Sequence, residues 1–136
     1  MSDLLRFTVP GNPEYIKIVK MAVESAAANC GFPLNAIEDI GIAVSEACKL
    51  TTCHGFDGWS NSYDIELTLG DENLTVFIKD DEQCRHEIVK GARPCMDCPN
   101  EGNLGMPIIK SLMDEVEIVK NEGKKNSIKM VKHKND

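Results

Sequence analysis

Two short runs of strict alternation constrain this chain more than anything else in it. Tyr63, Ile65, Leu67 and Leu69 interleave with Asp64, Glu66 and Thr68. After Gly70-Asp71-Glu72-Asn73 the pattern resumes with Leu74, Val76 and Ile78. An apolar period of two turns one face of a strand to a core and the other to water. Two such runs around four turn-forming residues predict an antiparallel hairpin. A hairpin with one apolar face is marginal alone, so the rest of the chain must cover it.

The cover is predicted upstream. Asn12-Pro13 has the form of a helix N-cap followed by proline at the first helical position. Ile16, Val19, Val23, Ala26 and Cys30 then recur at helical spacing, and Gly31 ends that helix. A second helix is predicted to open at Asn35, with Glu38 three residues later as in a capping box. Its core face runs through Ile37, Ile40, Val44, Ala47 and Thr51, and Cys48 falls on the core side. At about 100° per residue, Asp39, Glu46 and Leu50 form a separate stripe. The core does not require Glu46, which is therefore available to a cleft.

Leu5 to Val9 predicts a short first strand ending at Pro10-Gly11. Leu104 to Met113 predicts a third, short helix. Val116 to Val119 and Ser127 to Val131 predict two closing strands, and Lys132-His133-Lys134-Asn135-Asp136 a frayed tail. The order is strand, two helices, two strands, loop, helix, two strands. It implies an α+β two-layer sandwich, one domain over residues 1–136, with three helices on one face of a mixed sheet. A chain of 136 residues supports a single core of that kind. With aromatics at 5%, aliphatic residues must fill it.

Fifteen basic against 22 acidic residues give a net charge of -7. That balance opposes non-specific binding to nucleic acid, which needs a basic surface to displace counterions. It suits a basic protein partner. No run approaches the ~20 apolar residues of a membrane span. Met1-Ser2-Asp3-Leu4-Leu5-Arg6 lacks the basic and apolar regions of a signal peptide. The expected compartment is a reducing cytoplasm, where six cysteines are thiols or metal ligands rather than a disulfide framework.

Residues 81–100 show no sustained period and hold three of those cysteines and two prolines, the composition of a long loop. Cys84, His86, Cys95 and Cys98 form C-x-H followed by C-x-x-C, a donor set suited to tetrahedral zinc. The same C-x-x-C has the form of a redox pair, although the helix N-terminus that activates such pairs is missing. A loop carrying reduced thiols is the plainer reading, and all three stay open here.

Three segments in order now carry a resemblance. Ala43-Val44-Ser45-Glu46-Ala47-Cys48 lies in the second helix, Asp80 follows the hairpin, and Glu101-Gly102-Asn103-Leu104-Gly105 opens the third helix. Together they resemble the N-box and the two glycine boxes of the GHKL (histidine-kinase-like) ATPase superfamily. Ile37-Glu38-Asp39-Ile40 and Leu112-Met113-Asp114-Glu115-Val116 narrow the likeness to the anti-sigma-factor serine kinases, over about Phe7 to Met130. The resemblance implies a Bergerat-type sheet, ATP as cofactor and a nucleotide lid at about residues 81–100. It implies homodimers that bind a sigma factor and phosphorylate a serine on an antagonist protein.

By the same resemblance, Glu46 orients or deprotonates the attacking serine, and Asp80 accepts the adenine amino proton. Gly102, Leu104 and Gly105 bring backbone to the phosphates at a helix start, and Ser127 supports Asp80. The sequence also departs from the family. The Asn that holds magnesium, four residues after the glutamate, is Leu50 here, and leucine offers none of the hard oxygen that magnesium demands. Asp-x-Gly becomes Asp80-Asp81-Glu82, adding carboxylates that repel phosphate, and Gly-Gly-Leu-Gly becomes Gly102-Asn103-Leu104-Gly105. Two rival functions follow: a partner-binding switch without ATP turnover, and a metal- or redox-sensing regulator using the cysteine loop.

Overall fold

The alternating runs are strands, and the helical runs cover one side of the sheet they begin. The computed structural model describes residues 3–10, 13–51, 62–80, 105–119 and 127–134. In chain order the elements are β1 (Asp3–Pro10), a 3-10 turn (Pro13–Tyr15), α1 (Ile16–Asn29) and α2 (Leu34–Thr51). They continue with β2 (Ser62–Leu69), β3 (Asn73–Asp80), α3 (Gly105–Leu112), β4 (Glu115–Val119) and β5 (Ser127–His133).

The sheet order is β1-β2-β3-β5-β4. All four pairings among the described strands are antiparallel, which corrects the expected mixed sheet. The reason is where α3 delivers the chain. It carries β4 to the sheet edge, parallel to β3 but one strand away. β5 then turns back into the gap, antiparallel to both neighbours.

Register explains the single buried face. Phe7, Ile65, Ile78, Ile128 and Ile118 align across the five strands, and Leu5, Leu67, Val76, Met130 and Val116 form the next row. Ile65, Leu67, Val76, Ile78, Ile128 and Met130 are buried in one cluster with Val19 and Val23 of α1, Ile40, Val44 and Ala47 of α2, and Ile109 of α3. Burying each large side chain contributes about 1.5–3 kcal/mol. The opposite face is polar. Glu66 there bridges to Lys79 and lies 3.9 Å from Arg6, while the ammonium groups of Lys79 and Lys129 sit 5.8 and 5.9 Å from the Phe77 ring centroid.

The helix ends depart in part from expectation. Gly31 closes α1 as expected: at φ +91° it lets the Phe32 N–H reach Ala27 O (3.2 Å) and its own N–H reach Ala28 O (3.0 Å). Asn35, by contrast, lies inside α2. The Ile37 N–H donates to Pro33 O (3.0 Å), so helical bonding starts before Asn35 and the expected capping box does not open the helix. Pro13 begins a 3-10 turn that runs into α1, and Asn12 is outside the described residues. The frayed tail is a second correction, since Lys132 and His133 belong to β5. No helix among the described residues is long and apolar enough to cross a membrane.

Candidate nucleotide site

The sheet brings two of the candidate residues, Asp80 and Ser127, to one end. Lys79 pairs with Ser127, Tyr63 with Asp80 and Val119 with Ser127. The end of β3 and the start of β5 therefore lie at the same end of the sheet. Asp80 is the last residue of β3, and Ser127 is the first of β5 and is buried. Ser127 sits one step from Asp80 across the ladder. Ile128 and Met130 face the helices, so alternation turns Ser127 to the other side.

Above the sheet, α2 packs between α1 and α3. Glu46 is on the stripe that leaves the core, its side chain 24% exposed, while its neighbours Ala43, Val44, Ala47 and Cys48 are buried. Its Oε2 accepts a hydrogen bond from Lys49 Nζ at 3.2 Å. Lys49 is mostly solvated, so the pair is worth under about 1 kcal/mol and holds the carboxylate loosely. Such a carboxylate can take a proton from a hydroxyl brought against it.

Gly105 opens α3. The C-terminal end of α3 is fixed by Lys132, whose Nζ donates to Leu112 O at 2.6 Å and lies 4.0 Å from Asp39 Oδ2 on α2. From that junction, Glu46 lies seven residues along α2 and Gly105 seven residues back along α3, about 10 Å each. Asp80, Ser127, Glu46 and Gly105 are the expected site residues that fall within the described elements. Gly102, Leu104 and the four lid residues Cys84, His86, Cys95 and Cys98 lie outside the described residues.

Comparison with known proteins decides the family. The model of the histidine kinase-like ATPase domain matches residues 9–132. The chain belongs to the histidine kinase-like ATPase family. Within it, serine-protein kinase RsbW of Bacillus pumilus is 30% identical over 131 residues, with 89% of this chain and 81% of that protein covered. Serine-protein kinase RsbW of Listeria monocytogenes serotype 4a is also 30% identical, over 144 residues, covering 100% of this chain and 90% of the relative. A crystal structure of the RsbU and RsbW domains of a Mycobacterium tuberculosis protein shares the fold, with a TM-score of 0.67 at 16% identity. It matches over 98% of this chain, which spans 33% of that longer one.

Three of the residues that the resemblance implies for a nucleotide fall at element ends or on the outer stripe of a helix. Asp80 ends β3, Gly105 opens a helix whose first N–H groups have no helical partner, and the Glu46 carboxylate leaves the core on α2. Magnesium does not fit. Position 50 of α2 carries leucine, and no group of three or more His, Cys, Asp or Glu among the described residues could hold a metal ion. Lys132 lies in the expected tail, yet it belongs to β5 and contacts both helices. Its signal was there: Lys132 continues the alternation of Ile128 and Met130.

Proposed function

We propose that this chain is an anti-sigma-factor-type regulator of the serine-protein kinase kind, acting in the cytoplasm as a homodimer. It binds ATP, holds a sigma factor, and passes phosphate to a serine of an antagonist protein. The observation that carries this reading is the likeness to serine-protein kinases at 30% identity over nearly the whole chain, with Glu46 on the stripe of α2 that faces away from the core. ATP when bound supplies the phosphoryl group. Asp80 recognises the base at the end of β3, and backbone at Gly105 meets the phosphates. Glu46 would receive the serine hydroxyl and take its proton as the hydroxyl oxygen displaces ADP from the terminal phosphorus. No step is assigned to magnesium, because Leu50 supplies no ligand for it.

Leu50 favours a second reading, in which the same scaffold binds its partners and nucleotide without turnover. Two measurements separate the readings. Calorimetric titration with ATP should give binding that Asp80→Asn weakens roughly tenfold or more, the effect of degrading a hydrogen bond to a charged group. Unchanged binding removes Asp80 from the site. Phosphate transfer to a serine-bearing antagonist should be abolished by Glu46→Gln and raised by Leu50→Asn, which puts an oxygen four residues from Glu46 on the same stripe. Transfer at an ordinary kinase rate, unaffected by Leu50→Asn, overturns the assignment of a degenerate magnesium site. No transfer with either residue at position 50 leaves the switch.

A further inference from the structure

The junction at Lys132 links the two helices that the proposed site needs, and its role is mechanical. α3 has eight residues and is about 12 Å long. Ile109 is its fully buried anchor, with Met113 just beyond its end, while Met106 and Leu112 are only partly buried. A helix that pivots on Ile109 can tilt, and a tilt of about 10° about that residue would displace Gly105, four residues away, by roughly 1 Å, while Leu112 on the other side of the pivot moves the opposite way. Displacements of about 1 Å are enough to spoil a reacting geometry.

What resists the tilt is a set of bonds from the end of β5. Lys132 Nζ donates to Leu112 O at 2.6 Å, Asp114 N to Val131 O at 2.9 Å, and His133 N to Asp114 Oδ2 at 2.6 Å. His133 Nε2 also lies 3.1 Å from Glu115 Oε2. Three of these hold the turn after α3. The Lys132 ammonium alone reaches the helix itself, where a cation also complements the partial negative charge of the carbonyl end. The same ammonium faces α2, through Asp39. Its side chain is 16% exposed and sits on the helix-facing side of β5 beyond Met130, so the stem is packed while the charge bridges two helices.

We propose that Lys132 is a positioning residue: by tying the end of α3 to Asp39 of α2, it sets the tilt of α3 against the helix that carries Glu46, and with it the place of Gly105 on the phosphate side of the proposed nucleotide site. The part of this that concerns nucleotide rests on the function proposed above; the part that concerns α3 does not.

The test uses the full chain with Lys132→Met, which keeps the stem and removes the charge, and Lys132→Arg, which restores it. Amide hydrogen exchange is read across Gly105–Leu112 and across β2 and β3, and ATP affinity is read by calorimetry. Lys132→Met should speed exchange in α3, leave β2 and β3 protected, and weaken ATP binding several-fold; Lys132→Arg should recover most of both. Asp39→Asn should give part of the same effect, and it carries the test if Lys132→Met does not fold. Exchange in α3 that stays at the wild-type rate, or rises equally in every element, overturns the positioning role. Natural protein that binds no ATP overturns the functional reading instead, while the exchange comparison still decides for or against Lys132. Altered α3 exchange with unaltered ATP affinity separates the helix from the site and rejects the proposal.

Discussion

Cys48 stands two residues after Glu46, yet it takes no part in nucleophilic chemistry. Burial pushes its thiol from 9.0 to about 12, so it stays neutral where a thiolate would be needed. The same burial makes stability depend on alkali. Below 9.0 the folded and unfolded chains both hold the proton, and the contribution is constant. Between 9.0 and about 12 only the unfolded chain releases it, so stability falls as pH rises, by at most about 1.4 kcal/mol per pH unit. Urea midpoints taken near pH 8 and near pH 10.5 should fall more steeply for the natural protein than for Cys48→Ala. Equal slopes would show that the thiol is not held neutral. The core side of Cys48 was legible from helical period alone. Lys132 was legible only in part: it continues the alternation of Ile128 and Met130, but nothing local places its ammonium against Leu112 and Asp39.

At the scale of elements, the sequence predicted what local chemistry decides and missed what packing decides. The hairpin is closed by Leu69 paired with Leu74 and by the Gly70 N–H donating to Asn73 O at 2.9 Å, much as turn residues between two alternations imply. Gly31 was legible for a similar reason, since few other residues accept φ +91°. Gly31→Ala should destabilise by about 1–2 kcal/mol in thermal or urea unfolding, with Gly31→Asn losing less. A neutral alanine would mean that α1 can end in another way. The start of α2 was misread because the turn through Gly31 and Phe32 hands the chain to the helix at Pro33, a tertiary circumstance that Asn35 and Glu38 cannot signal. The antiparallel sheet was equally hidden. Nothing in Val116–Val119 or Ser127–Val131 tells which of two similar strands takes the edge.

At the scale of the molecule, one cluster joins both layers, and the candidate site residues lie on the elements around it. Glu46, Asp80, Gly105 and Ser127 come from four elements, so their relative places depend on the packing between elements rather than on any local motif. The motif order was readable; the junction that spaces it was not, since it exists only once β5 lies beside β3. If the cluster is continuous, truncating it anywhere should lower one shared transition. Leu67 is buried in β2 and Ile109 in α3, on different layers. Leu67→Ala and Ile109→Ala should each cost about 2–5 kcal/mol. In both variants, urea transitions followed by far-ultraviolet circular dichroism and by amide exchange of the sheet should coincide, as all-or-none unfolding requires. An early loss of helical signal in Ile109→Ala, with the sheet still protected, would make α3 a separately melting unit. The Gly105 end of the site would then order on nucleotide binding instead of being held in advance by the fold.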